Sequence, residues 1–200
     1  MSDEEKEQRS TMLPLPLPDA VGDRLYRTRS IVVSGEINQA LAARVTSQLL
    51  ALAAENDQPI TMYLNSQGGH VEAGDTIHDI IRFVNAPVRM LGTGWVASAG
   101  ALIYVSVPRE RRLCLPNTRF LLHQPAGASG GAAADIEIEA REILRMRDRL
   151  NRIFAKATGQ PLERIEEDTM RNFWLDAENA VRYGLAGRII EKQAELESLS

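Results

Sequence analysis

Apolar residues recur along this chain with two periods. Residues 30–33, 60–64, 88–91, 112–115, 119–123 and 189–190 are short, mostly apolar runs bounded by Gly, Pro, Asn or Ser, the pattern of buried strands. Between them the spacing turns helical. Residues 36–56 carry Ile37, Leu41, Val45, Leu49 and Leu50 at that spacing, and residues 72–84 put Ile77, Ile80, Ile81 and Val84 on one face before Pro87 stops the helix. A long helix is predicted over 135–158, with Ile136, Ile143, Leu144, Leu150 and Phe154 as its apolar positions, and a short one over 162–169. A last helix follows Phe173 and ends at Tyr183-Gly184. Strand, Gly-rich turn and helix thus repeat, which predicts an α/β fold with a mainly parallel sheet and ligand sites at the C-terminal strand ends. The turns at 65–69 and 92–94 are expected at such ends.

The flanks differ in character. Residues 1–24 begin with a charged tract and continue into Leu13-Pro14-Leu15-Pro16-Leu17-Pro18, whose prolines exclude a central strand, so a mobile N-terminal arm is expected. Residues 25–192 form the domain, and the acidic tail 193–200 is expected to fray. Within the domain, the small residues at 127–134 and the helix after them are expected to project and pack on another subunit.

Composition narrows the functional classes. At 200 residues the chain suits one domain with a full core. A formal charge of -4 and a pI near 5.5 give no general attraction to nucleic acid or to an anionic membrane. Cys114 is the single cysteine, which excludes an internal disulfide and any Cys-rich zinc site. No run reaches the roughly 20 apolar residues of a membrane span, and the N-terminal stretch is acidic where a secretory signal is basic and then apolar. The cytoplasm is the expected location.

Candidate chemistry centres on Gly92-Thr93-Gly94-Trp95-Val96-Ala97-Ser98-Ala99-Gly100-Ala101. Here a serine opens a small-residue helix just after a strand, close to backbone N–H groups that have no intrahelical acceptor and can face an oxyanion. The alternative is an ordinary N-cap serine. A hydroxyl nucleophile needs a base, and the chain has only three histidines. His78 lies in an amphipathic helix beside Asp79, where a solvated or interfacial role is expected; His70 follows the first glycine turn; His123 closes a strand, where it is either a structural histidine or a base facing the Ser98 turn. Neither Gly-rich turn is a nucleotide signature, and His70, Glu72, Asp75, His78 and Asp79 lack the spacing of a zinc site, so no metal or cofactor is expected.

Several motifs together resemble one family. Tyr63-Leu64-Asn65-Ser66-Gln67-Gly68-Gly69, Gly94 to Ala101, Cys114-Leu115-Pro116-Asn117, His123-Gln124-Pro125, the 135–144 segment and Ala180-Val181-Arg182-Tyr183-Gly184-Leu185 are similar, in order and spacing, to the proteolytic subunit of the ATP-dependent Clp protease, ClpP. The resemblance runs from about residue 25 to 190. It implies a ClpP/crotonase-like fold, a repeated β-β-α spiral with a projecting handle helix, the handle spanning 124–158. It implies a serine endopeptidase that cleaves unfolded polypeptides or peptides inside a chamber of two stacked heptameric rings, a tetradecamer, fed by a ClpX- or ClpA-like AAA+ unfoldase. Ser98 matches the family nucleophile, His123 the base, and Gly69 and Ala99 the backbone amides of the oxyanion hole. Tyr63, Phe83, Leu91, Leu113, Leu115 and Ile190 match the apolar unfoldase-docking pocket.

The chain also departs from the family pattern. Asn172 stands where the third triad residue is usually Asp, which implies reduced activity or, alternatively, a weakly active or inactive regulatory subunit in a mixed ring with a ClpP paralogue. Asp168 is the nearest carboxylate in sequence and the alternative third residue. Met170 replaces an acidic residue that pairs with the arginine matched by Arg171, Gln67 replaces a proline before the two glycines, and Thr61 and Thr93 replace larger apolar groups around the docking pocket.

Overall fold

The repeated strand–helix pattern folds as an α/β domain in the computed structural model, which describes residues 19–125 and 130–197. In chain order the elements are α1 (Asp19–Arg27), β1 (Ser30–Ile37), α2 (Gln39–Glu55), β2 (Ile60–Gly69), α3 (Val71–Phe83), β3 (Val88–Ala97) and α4 (Ala99–Tyr104). They continue with a 3₁₀ turn (Arg109–Arg111), β4 (Arg112–Cys114), β5 (Arg119–Leu122), α5 (Ala133–Thr158), α6 (Leu162–Thr169), β6 (Phe173–Asp176), α7 (Ala177–Tyr183), β7 (Arg188–Ile189) and α8 (Gln193–Glu197). Strands β1, β2, β3, β4 and β7 lie side by side in that order, all parallel, while β5 runs parallel to the end of β3 and β6 antiparallel to β5.

Alternating side chains of the first strands form the centre of the core. Ile31, Val33 and Ile37 of β1 and Ile60, Met62 and Leu64 of β2 are fully buried against Leu41, Val45, Leu49 and Leu52 of α2 and Ile77 of α3. Asn38 starts α2 by accepting the amide of Leu41 at 2.9 Å. Leu50, expected on the apolar face of this helix, is instead exposed, and Leu52 takes the buried position. In the same core, Tyr104 and Phe120 pack with ring centres 5.1 Å apart, and the Tyr104 hydroxyl donates to Leu113 O at 2.8 Å. Burial pushes the nearby Cys114 thiol up to about 12. At pH 8 only about one thiol in 10⁴ would then be ionised, so a thiol-selective reagent should titrate Cys114 only after denaturation. Stoichiometric reaction of the native protein within seconds would contradict that burial.

Several sequence expectations need correction. Residues 19–24, expected within the arm, belong to a helix that spans Asp19–Arg27; the rest of the expected arm, residues 1–18, lies outside the described residues. So do residues 126–129, within the expected handle. The tail at 193–197 is helical in place of the expected fraying. Strands β2 and β3 run through the Gly-rich stretches at 65–69 and 92–94, where the local pattern predicts turns.

Helix α5 has 26 residues, about 39 Å at 1.5 Å per residue. Its buried residues, Leu150, Asn151, Phe154 and Thr158, all lie in its C-terminal third, and Ile136, Ile138 and Leu144 are exposed. Its N-terminal part therefore stands away from the domain.

Candidate active site

The site follows from a change of partner along β3. Its first half, Met90 to Gly92, pairs with β4, and its second half, Trp95 to Ala97, pairs with β5. The register against β2 slips at the same level: Leu64 faces Gly92, but Ser66 faces Val96. Such a bulge bends the strand and needs something to fill it. Asn65 does so, its Oδ1 accepting the amide of Trp95 at 3.0 Å. Gly94 has φ +57, and a Cβ there would lie 2.8 Å from that same oxygen, so both the backbone and the contact favour glycine at this position.

Beyond the bulge β3 delivers Ser98 to the end of β5. The Ser98 amide donates to Leu121 O at 2.9 Å, and Ser98 O accepts from Leu102 N at 3.1 Å. Between these bonds Ser98 has φ 55 and ψ -120 and makes no side-chain capping bond. An N-cap serine has an extended backbone and caps a helix amide with its oxygen; Ser98 does neither. A non-glycine residue in such a conformation costs about 1–3 kcal/mol and persists only where its surroundings impose it. The result is a hydroxyl left uncommitted to the helix it precedes.

His123 follows the last residue of β5, and Asn172 precedes the first residue of β6. Since Leu122 pairs with Phe173, the antiparallel register brings these two residues opposite each other, and His123 Nδ1 lies 3.2 Å from Asn172 Oδ1. With Nδ1–H donating to that oxygen, Nε2 keeps its lone pair. Gln124 fastens the arrangement: its amide donates to Thr169 O at 2.8 Å and its side chain to Met170 O at 3.1 Å. Thr169 is in turn anchored to Asn151 of α5 at 3.0 Å. Asp168 does not take the place of Asn172, because it accepts from Arg164 Nε at 2.8 Å and from the Tyr183 hydroxyl at 2.7 Å. Burial and the Asp168 carboxylate push the Tyr183 hydroxyl up.

Ser98, Ala99 and His123 line one small cleft, walled mainly by Val71, Leu102, Leu122, Leu150 and Phe154. The sequence reading missed these walls, which come from α3, α4, β5 and α5. The other histidines lie elsewhere. His70 is exposed, 3.1 Å from Glu72, and His78, expected to be solvated or interfacial, is buried with its Nδ1 2.9 Å from Asp79. Among the described residues, no three His, Cys, Asp or Glu side chains gather as a metal site, and no helix is long and apolar enough to cross a membrane.

Two backbone amides beside the cleft are already engaged. Ser98 N donates to Leu121 O, and Gly68 N donates to Ser66 Oγ at 3.0 Å. Ala99, as the first residue of α4, has an N–H with no intrahelical acceptor, and Gly69 is the exposed residue that follows Gly68. Gly68 packs close to Ser98, since a Cβ on it would lie 2.7 Å from Ser98 Cβ.

The residues matched to the docking pocket also come together, with one exception. Leu91, Leu113 and Ile190 form a buried cluster against which Tyr63 and Leu115 pack, whereas Phe83 is 75% exposed and is not part of it. Leu196 of α8 completes the cluster, and its carbonyl accepts from Arg89 Nη1 at 2.9 Å.

Comparison with known proteins places this geometry. The Clp protease family matches residues 18–193. The ATP-dependent Clp protease proteolytic subunit 3 of Rhizobium etli is 59% identical over 196 residues, 98% of this chain and 100% of the relative. Subunit 2 of Pseudomonas aeruginosa is 52% identical over 181 residues, 88% of this chain and 90% of the relative. Among solved structures, an Asn-to-Asp mutant of ClpP1 from Listeria monocytogenes matches with a TM-score of 0.83 at 52% identity, covering 88% of this chain and 99% of that one. ClpP1 from the same organism matches with a TM-score of 0.80 at 50% identity, with the same coverage. The ClpP-type fold expected from the motifs is therefore the fold observed. Since the family match spans nearly the whole chain and the Rhizobium relative is covered along its full length, the chain belongs to the Clp protease family.

Proposed function

We propose that this chain is the serine-type proteolytic subunit of an ATP-dependent Clp protease, cleaving peptides and unfolded polypeptides. The observation that carries the proposal is the backbone of Ser98, held out of its capping conformation beside a histidine whose far nitrogen is fixed by Asn172. His123 Nε2 takes the Ser98 proton as Oγ attacks a peptide carbonyl. The amides of Gly69 and Ala99 hold the resulting oxyanion, His123 returns the proton to the leaving amine, and water hydrolyses the acyl-enzyme. The apolar walls of the cleft favour an apolar side chain next to the scissile bond.

Assembly follows the same reading. The exposed Ile136, Ile138 and Leu144 on the outer part of α5 suit contacts between stacked heptameric rings, which would enclose the sites in a tetradecameric chamber. The Leu91–Leu113–Ile190 cluster, with Tyr63 and Leu115 packed on it, and the exposed Phe83 suit a ClpX- or ClpA-like unfoldase, which would supply the ATP-driven step. The cytoplasm suits all of these partners. The names of the relatives favour a working protease over the alternative of an inactive member of a mixed ring.

A fluorophosphonate tests the reading. Treated with it, the assembled protein should gain one adduct per subunit, and peptide mapping should place that adduct on Ser98. Modification of a different residue, or peptide cleavage that continues at full rate with Ser98 fully modified, would sink the proposal.

A further inference from the structure

The only two tryptophans of the chain meet each other on the surface. Trp95 of β3 and Trp174 of β6 pack edge to face with ring centres 5.9 Å apart and planes at 72°, yet they remain 47% and 38% exposed. The Arg119 guanidinium lies over the Trp174 ring, 4.4 Å from its centre. Strand register fixes the face on which this cluster sits. Trp95 is opposite Arg119, Ala97 is opposite Leu121, and Leu121 is opposite Trp174; opposed residues, and residues two apart along a strand, project to the same side. His123 lies two residues beyond Leu121, and Asn172 two before Trp174. The alternation therefore carries the aromatic pair onto the face of the sheet that bears His123 and Asn172.

From this juxtaposition we propose that Trp95 and Trp174 form a subsite for a large apolar or aromatic side chain of the polypeptide cleaved at Ser98. This rests on the peptidase reading above and adds a selectivity to it. Leu121, opposite Trp174 in the register, is already buried, while much of both indoles stays in water. Seating a flat or branched apolar side chain on them removes that surface from solvent, and the Arg119 guanidinium disfavours lysine or arginine in the same place. At about 3.3 Å per residue, Trp174 lies roughly 7 Å along its strand from Asn172 and Trp95 roughly 10 Å from Ser98. An extended substrate advances by the same rise, so the subsite would meet a side chain two or three residues from the scissile bond.

Fluorogenic peptides varied at those positions among Ala, Leu and Phe test the proposal in the assembled protein. The wild type should prefer Phe over Ala by about tenfold in kcat/KM at one of the positions, expressed mainly in KM. Trp174→Ala and Trp95→Ala should bring that preference below about twofold, and Trp174→Phe should keep most of it. Fluorophosphonate labelling and cleavage of the Ala peptide should stay within about twofold of wild type. An unchanged preference in the Ala variants overturns the proposal. So does an equal loss for every peptide accompanied by slower labelling, which marks a structural role, or dissociation of the assembly, which marks a contact between copies of the chain. Because these are the only tryptophans, intrinsic fluorescence provides a test that needs no tryptophan variant. In Ser98→Ala, which cannot turn substrate over, the Phe peptide should shift the emission and the Ala peptide should not; identical spectra overturn the proposal. If the wild type gains no adduct at Ser98, the peptidase reading fails; if it gains one while the emission stays unmoved, only the subsite fails.

Discussion

Replacing Asn172 with aspartate should accelerate both fluorophosphonate labelling of Ser98 and hydrolysis of short peptides, by between about tenfold and 10⁴-fold. The direction follows from what each side chain can do at 3.2 Å from His123 Nδ1. The Asn172 oxygen accepts the Nδ1–H bond and so fixes the ring and its tautomer, but it is neutral. In the proposed mechanism Ser98 gives its proton to the ring, which becomes a cation, and of these two side chains only aspartate offsets that charge. In serine proteases of the Ser-His-Asp type, an engineered Asp-to-Asn change lowers kcat by about 10⁴, while papain-like enzymes work with Asn beside a Cys-His pair, so Asn is a handicap more than a block. Asn172 is exposed in this chain, and water already stabilises part of the imidazolium charge, which favours the lower half of the range. Asp168 gives no rescue in the wild type, committed as it is to Arg164 and Tyr183. Equal labelling rates for the wild type and the Asn172→Asp variant would show that the missing charge does not limit acylation. A wild type that labels only when mixed with a paralogue would instead assign this chain the regulatory place in a mixed ring.

Much of this arrangement is legible from the apolar pattern, and the part that is not depends on contacts between residues distant in sequence. The runs at 60–64 and 88–91 mark β2 and β3 correctly, but both strands continue through polar and glycine residues that no local preference assigns to a strand. Those extensions exist because Asn65 fills the β3 bulge and because the Ser66 hydroxyl donates to Gly35 O at 2.6 Å across to β1. Neither contact has a sequence signature. Ser98 is legible as a serine at a strand–helix junction, and the small histidine inventory narrows the base, yet the pairing of His123 with Asn172 needs the resemblance or the β5–β6 register to reveal it. The charged composition of 193–197 hides Leu196, whose burial depends on a cluster built from β3, β4 and the segment after β7. The tryptophan pair is invisible for the same reason: nothing along the chain says that residues 95 and 174 share a face.

Substituting alanine at Gly68 and at Gly69 should have large effects of two different kinds, although the residues are adjacent. Gly69 has φ +149, and a Cβ there would lie 2.2 Å from Ile37 O and 2.8 Å from Ile37 N, both backbone atoms of β1. Neither can rotate away, so β2 must separate from β1 at the end of the sheet. Backbone strain of about 1–3 kcal/mol and overpacking of about 1–3 kcal/mol then add to a destabilisation that is a large share of a domain's usual stability. Gly69→Ala should accordingly lower Tm by about 4–24 °C and reduce the yield of soluble protein. At Gly68 the new Cβ would meet Ser98 Cβ at 2.7 Å and Ala97 O at 2.9 Å, with φ +101. The group most able to give is Ser98, the proposed nucleophile, which sits in a strained backbone between the bonds to Leu121 and Leu102. A displacement of about 1 Å at a reacting atom costs on the order of 10²-fold in rate, so Gly68→Ala should lose at least that much labelling at Ser98 while melting closer to wild type than Gly69→Ala does. Measuring Tm and labelling rate side by side separates the two. If Gly68→Ala labels at the wild-type rate, Ser98 is not held against this turn and the account of how the site is built fails; if it loses activity only in proportion to its loss of folded protein, the glycine serves the fold and not the nucleophile.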